Sequence, residues 1–403
     1  MEMVSIIKQF IPLIVALGAF IIAYRAIGVI IDVSHLKNLF DNPLEKRKVH
    51  ANGIPHLGGI GIFIAIFVSF SLSGYATQIW SPYLAAGMTL LLFSGIKDDI
   101  LVIDPNKKLL VQIFAIVALM WGGNLVITDL GGVFGVQEIS YTAGFALTFF
   151  TMIVVVNAYN LIDGIDGLAG GIGVMASAFF GWWFWEVGMI PYATLSISLT
   201  GSLLGFLVYN FQPASVFMGD TGSQIIGYVL AFLSVTFVKT GITATGAVPF
   251  QDAVPVLVLS VLIVPLYDTL RVFVVRLFNG KSPFSADRRH VHHQIIDFGF
   301  SHRSACYILY AYTLGIIGLT ISLSGMDVNI LLGTVLLTTV LLFPTVHFKR
   351  KLVESLGFEM PSSRQVKVFE MKYGMAPPQK KTVGRNGPSD EEDNEDEQVV
   401  VAK

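Results

Sequence analysis

The chain has 403 residues, of which 54% are hydrophobic and 13% charged, with 26 Lys+Arg against 28 Asp+Glu and a formal net charge of −2. Soluble domains carry about 25% charged residues, so this composition and a mean hydropathy of +0.69 exclude a water-soluble fold, a nucleic-acid binder and a disordered chain over most of its length. The single cysteine, Cys306, excludes an intramolecular disulfide and a cysteine-rich metal site.

Apolar stretches of about 17–25 residues satisfy their backbone within one helix and can cross a bilayer. They run over 10–32, 57–75, 80–97, 108–124, 143–159, 168–187, 191–209, 222–239, 253–277, 304–324 and 328–347. This pattern predicts an all-α polytopic membrane protein with about eleven transmembrane helices. The first stretch is too long for a signal peptide, carries Arg25 and has no small-residue cleavage site after it, so it is read as a retained span.

The third span ends on Asp98-Asp99. Two carboxylates at a helix C-terminus oppose the macrodipole. Either a cation or a proton transfer uses them, or they solvate a loop beside Lys97, Lys107 and Lys108. After the fourth span, residues 125–142 alternate apolar and polar around Gly131-Gly132, which predicts a small extracytoplasmic β-hairpin.

The fifth span runs into Asn157-Ala-Tyr-Asn160-Leu-Ile-Asp163-Gly-Ile-Asp166-Gly. Positions three apart drift by about 60° around a helix, so Asp166 joins Asn160 and Asp163 only where the helix breaks. Gly164 and Gly167 supply the break. These groups either build a ligand pocket at the membrane surface or cap two spans.

Phe217-Met218-Gly219-Asp220-Thr221-Gly222 opens the eighth span. Asp220 is either its N-cap or a ligand for a hard divalent cation held against phosphate at a helix N-terminus. Asn210 and Phe217 offer amide and aromatic faces to a nucleobase, or pack. Asp268 and Arg271, within the ninth span, read as a structural ion pair near its inner end. The densest polar run between spans, Ser282 to His293, holds Arg288, Arg289, His290, His292 and His293. It suits a bound polyanion better than zinc, for which the lone cysteine gives no help.

Lys and Arg collect in cytoplasmic loops. With eleven spans and an outside N-terminus, Lys37, Lys46, Arg47, Lys48, Lys97, Lys107, Lys108, Lys281, Arg288, Arg289 and Arg303 fall inside, and only Lys8 and Lys239 fall outside. All four polar clusters then lie at the cytoplasmic ends of helices. Residues 1–348 are read as one multi-span domain and 349–403 as a cytoplasmic tail. Asp390 to Glu397 holds seven acids, leaving +5 on the rest of the chain, and is expected to be disordered near its end.

Taken together, these clusters resemble the polyprenyl-phosphate N-acetylhexosamine-1-phosphate transferases, of the glycosyltransferase family 4 type. The likeness runs over residues 30–300 in cluster order and spacing, and is strongest to the bacterial undecaprenyl-phosphate N-acetylglucosamine-1-phosphate transferases. It implies transfer of N-acetylhexosamine-1-phosphate, in the first place GlcNAc-1-phosphate, from a UDP-N-acetylhexosamine to undecaprenyl phosphate, with release of UMP. The reaction would face the cytoplasm from the bacterial inner membrane and initiate a cell-surface polysaccharide.

The same resemblance implies magnesium, or manganese in its place, on Asp220 and Asn160. It implies catalytic roles for Asp98, Asp99, Asp163, His292 and His293, one of the paired carboxylates taking the proton of the lipid phosphate. Asp166, Asn210, Phe217, Arg289, His290 and Lys108 would contact substrate, with Gln112 continuing the helix start that carries Lys108. Val291 interrupts the three consecutive histidines of the muramyl-pentapeptide transferases, which favours an N-acetylhexosamine donor. The phospho-N-acetylmuramoyl-pentapeptide transferase of peptidoglycan synthesis is the alternative within the family. A homodimer is a compatible assembly.

A secondary transporter is the alternative from another class. Transporters place coupling groups near the midplane in repeat-related broken helices; here they gather at one surface, without an internal repeat.

Overall fold

A computed structural model of the chain describes residues 2–37, 53–101, 103–244, 248–278, 290–297 and 299–342, with the main chain alone at 2–9, 292, 293 and 297. Arg289 and the tail 349–403 lie outside the described residues. The helices are α1 (Glu2–Lys37), α2 (Gly58–Leu72), α3 (Ser81–Leu101), α4 (Pro105–Gly122), α5 (Tyr141–Leu161), α6 (Leu168–Glu186) and α7 (Ile190–Asn210). They continue with α8 (Gly219–Thr243), α9 (Val254–Val261), α10 (Ile263–Phe278), α11 (Val291–Asp297), α12 (His302–Ser322) and α13 (Val328–Leu342).

Helix starts follow local chemistry. Asp104 caps α4 by accepting from Asn106 N at 2.8 Å, with Pro105 at the first position, where its missing N–H costs nothing. Ser301 caps α12 by accepting from Ser304 N at 3.1 Å.

α8 forms the centre of the bundle, buried without a gap from Thr221 to Val238. α2, α3, α5 and α6 pack around it, α1 lies across α2 and α7, and α12 and α13 pack on α9. Gly201 and Gly205 bring α1 and α7 together: a Cβ at Gly201 would run into the Ala16 backbone, and one at Gly205 would stand 2.7 Å from Phe20 O. Small residues four apart allow this approach between helices in lipid, where association relies on packing.

Each predicted apolar stretch coincides with helix, but not every one of these helices is long and apolar enough to cross a membrane by itself. Among the described residues, six helices are long and apolar enough to span: the Phe10–Lys37 part of α1, then α5, α6, α7, α8 and α12. A seventh is gained if the segment ending in α9 and its continuation α10, bent by 63°, count as one. That break falls inside the expected ninth span for a backbone reason. Pro265 lacks the N–H that would bond Val261 O, so one ladder bond is lost where the helix bends. α2 and α13 are shorter, with 15 residues each. This is a multi-pass membrane protein.

The expected hairpin also changes form. The chain doubles back, with Leu130 N donating to Gln137 O at 2.7 Å and Ile139 N to Thr128 O at 2.8 Å. Only the isolated bridge Asp129–Glu138 results, and no strand forms there. The tip is the cause: Gly131, Gly132, Phe134 and Gly135 all take positive φ, which coils the turn into a short 3-10 helix, Val133–Gly135.

Candidate active site

Segments far apart in sequence close one end of the bundle around a cavity of ≈ 410 Å³. α3 brings Asp98 and Asp99 on its last turns, and α5 ends beside Asn160. The connection to α6 holds Asp163 and Asp166, α7 ends in Asn210, and Phe217 to Asp220 lead into α8. Three of the four polar clusters thus meet at one cavity.

The chain ahead of α2 completes the wall. Phe217 N donates to Pro55 O at 2.8 Å, Gly58 N to Phe217 O at 3.0 Å and Gly59 N to Met218 O at 2.9 Å. This short ladder sets the His56 ring against Phe217, with centroids 4.9 Å apart, and His56 lines the cavity. Asn210 braces the far side. Its Oδ1 accepts from Gly167 N at 2.9 Å and its Nδ2 donates to Val216 O at 2.9 Å, so both ends of the amide are bonded to main chain.

The two adjacent aspartates take different tasks. Asp99 Oδ1 accepts from Asp220 N at 2.7 Å, and its Oδ2 accepts from Thr221 Oγ1 at 2.6 Å and Thr221 N at 3.2 Å. The N-cap of α8 is therefore supplied from α3, and Asp220 is released from that role. Gly219 makes the approach possible: its φ is +70°, and a Cβ there would collide with His56 O and the Asp99 carboxylate.

Asp98 turns to Lys108, whose Nζ lies 2.7 Å from Asp98 Oδ2 and also bonds Asp220 Oδ2. Asn160 Nδ2 donates to Asp220 Oδ1 at 2.9 Å and to Ser223 Oγ at 2.7 Å. Beneath this layer Asn157 Nδ2 donates to Gln112 Oε1 at 2.9 Å, and Gln112 Nε2 to Gln224 Oε1 at 3.3 Å, joining α5, α4 and α8.

Asp163 and Asp166 lie in the connection between spans and carry the electrostatic signature of the site. Burial, followed by the negative charges of Asp220, Asp99 and Asp166, pushes the Asp163 carboxyl up to about 7. Burial also raises Asp166, opposed by the imidazole of His302, whose Nδ1 stands 3.9 Å from Asp166 Oδ2. Five carboxylates line one cavity, and among the described residues the ammonium of Lys108 is bonded to two of them, which leaves a surplus of negative charge.

That surplus fits a hard cation. The available atoms are carboxylate and amide oxygens, the donor set of magnesium or manganese. Among the described residues no three His, Cys, Asp or Glu side chains form a cage for an ion. Magnesium commonly takes one or two carboxylates and completes its shell with substrate phosphate and water. Asp220 and Asn160 fit that pattern.

Of the histidine cluster, only His290 has its side chain among the described residues. His290 is buried, its Nδ1 lies 3.2 Å from Asp268 Oδ2, and Val291 N donates to Asp268 Oδ1 at 2.8 Å. Asp268 thereby ties the start of α11 to α10, and His290 is not among the cavity-lining residues. The side chains of His292 and His293 lie outside the described residues, as does Arg289.

His56 and His302 are site neighbours that the sequence reading passed over. His56 had a signal in Pro55-His56 followed by Gly58-Gly59, a tight approach ahead of a span. His302 had none beyond its place at a helix start.

Comparison with known proteins covers the segments that carry Asp98 to Asp220. The pattern of glycosyl transferase family 4 matches residues 81–238, from the start of α3 to near the end of α8. A probable undecaprenyl-phosphate N-acetylglucosaminyl 1-phosphate transferase of Bacillus subtilis (strain 168) is 32% identical over 319 residues, 79% of this chain and 84% of the relative. A decaprenyl-phosphate N-acetylglucosaminephosphotransferase of Mycobacterium leprae (strain TN) is 32% identical over 74% of this chain and 80% of its own length. An undecaprenyl-phosphate alpha-N-acetylglucosaminyl 1-phosphate transferase of Escherichia coli (strain K12) is 32% identical over 67% of this chain and 72% of its own.

Proposed function

The chain belongs to glycosyl transferase family 4, and on that premise we propose that it is a phosphotransferase moving N-acetylglucosamine-1-phosphate from UDP-N-acetylglucosamine to undecaprenyl phosphate, with release of UMP. The observation that carries this reading is the single cavity in which Asp98, Asp163, Asp166 and Asp220 face Phe217. The reaction exchanges one phosphoanhydride for another and is close to thermoneutral. The protein's task is to hold two mutually repelling anions in line and to offset the charge that develops between them.

Each side chain has a part in that task. Phe217, with His56 beside it, offers ring faces for the uracil. Asp166 accepts from donor hydroxyls, which a carboxylate binds and a phosphate does not supply. Lys108 stands between Asp98 and Asp220, where an ammonium meets the incoming lipid phosphate. Asp98 is the member of the acid pair not committed to capping α8, and it takes the proton from the lipid phosphate. Asp220 and Asn160 hold magnesium or manganese, which when bound neutralises charge on the pyrophosphate. Arg289, His292 and His293 are assigned to the phosphates on the family resemblance alone.

The setting follows from the same reading. The Lys and Arg distribution, read with the N-terminus outside, turns the cavity to the cytoplasm of a bacterial inner membrane, where a soluble nucleotide sugar and a lipid phosphate meet. The tail 349–403 is then a cytoplasmic appendage to the transferase unit 1–348. The product would initiate a cell-surface polysaccharide.

The test is UMP release by the purified protein from a panel of UDP-N-acetylhexosamines and UDP-N-acetylmuramoyl-pentapeptide, with and without undecaprenyl phosphate. Release from UDP-N-acetylglucosamine that requires the lipid phosphate is expected. Release only from the pentapeptide donor would reassign the substrate, and no release from any donor would reject the reading.

A further inference from the structure

α12 lies outside the matched segment 81–238, yet its first turns hold both loops that border the cavity. Arg303 donates from its main-chain N to Gln212 Oε1 at 3.2 Å and from Nε to Gln212 O at 2.8 Å. Cys306 Sγ donates to Asp166 O at 3.2 Å, and Tyr310 OH donates to Gly167 O at 2.6 Å. The main chain of the Asp166 loop is thus fixed to α12 through two successive carbonyls, those of Asp166 and Gly167, immediately after the Cα that bears the Asp166 carboxylate.

His302 faces that carboxylate from the fixed start of α12. Its Nδ1 is a buried atom without a hydrogen bond, and the 3.9 Å separation from Asp166 Oδ2 is too long to be one. Buried polar atoms rarely stay unsatisfied in a finished site. Hydrogen bonds of a catalytic centre are often long in the free protein and tighten when substrate binds. Closing this one needs a side-chain movement of about 1 Å, to reach the usual 2.7–3.2 Å, with both backbones already held.

We propose that His302 is a positioning residue for the donor, its Nδ1 closing on Asp166 when a sugar nucleotide enters and fixing the carboxylate against the donor's hydroxyls. This assignment rests on the reading of the cavity as the UDP-sugar site.

The experiment measures UMP release by the full-length protein with UDP-N-acetylglucosamine varied and undecaprenyl phosphate fixed, then the converse. His302→Phe keeps the ring and removes its nitrogens; His302→Asn returns an amide donor near the position of Nδ1. The expected result for H302F is a donor KM raised about tenfold, with kcat within about threefold and the lipid KM unchanged. H302N should return the donor KM toward wild type, and H302F combined with Asp166→Asn should be no worse than D166N alone.

An unchanged donor KM in H302F, or effects of H302F and D166N that multiply, would overturn the assignment. So would a lowered melting temperature with an unaltered donor KM, which leaves the ring a packing role. Should H302F not fold, His302→Ala enters the same cycle. A wild-type protein that releases no UMP from any donor would reject the transferase reading itself, a result distinct from an active enzyme indifferent to His302.

Discussion

Asp163 shows how one side chain records the charge of its surroundings. Its carboxyl is pushed up to about 7 by burial and by Asp220, Asp99 and Asp166, against an ordinary carboxylate value near 4. The folded protein therefore holds a proton between about pH 4 and 7 that the unfolded chain has lost. Stability from this group is fully present below about pH 4, declines as pH rises, and is gone above about 7. Asp163→Asn removes the titration. In buffer free of divalent cations, the melting temperature of D163N relative to wild type should climb from pH 5 to pH 7 and then level off. A difference independent of pH would mean that Asp163 does not carry this repulsion.

The same residue scale shows what reading the chain alone achieves. The carboxylates of the Asn157 to Asp166 segment announced themselves through glycines that break a helix beside them. Asp98 and Asp99 were legible as a pair, but their division of labour was not. It depends on the first turn of α8 arriving 121 residues later, and local spacing holds no information about such a partner. Asn210 was read as a nucleobase contact or a packing residue; it lines the cavity, and its amide ties two loops together.

Among elements, the junction of α3 with α8 governs the site. α8 begins on a glycine with φ of +70°, and its exposed amides are closed by a side chain from another helix. Asp99→Ala should lower stability by about 1–2 kcal/mol, the usual cost of a lost N-cap. Thr221→Val, which removes one of the three bonds to Asp99, should cost less. Thermal or denaturant unfolding in detergent checks both. Equal and negligible losses would show that the cap is dispensable.

Helix positions were legible because lipid demands continuous apolar runs with internal backbone bonding. The interruption at Leu262 was not drawn from the sequence, although Pro265 was in plain view; a proline inside an apolar run marks a kink in some spans and a full break in others. The 125–142 excursion alternated like a hairpin, and the positive φ of four tip residues decided its shape.

At the scale of the whole molecule, the helix ends carry the chemistry and the helix bodies carry the packing. Orientation read from Lys and Arg puts the polar clusters on one side of the membrane. Convergence of Asp98, Asn160, Asp163, Asp166 and Asp220 on one cavity follows from that alternation of helix ends. His56 and His302 come from segments whose approach depends on tertiary packing, through the ladder at Phe217 and the docking of α12, and so left no periodic trace.

On the proposed reading, these distant helix ends form one hollow that takes a divalent cation together with a sugar-nucleotide pyrophosphate. Manganese binding followed by electron paramagnetic resonance on the purified protein, with and without UDP-N-acetylglucosamine, tests it most directly. The expected result is one manganese per chain, bound more tightly when the donor is present, and lost in Asp220→Ala. Manganese binding that is unaffected by the donor and persists in D220A would contradict the account.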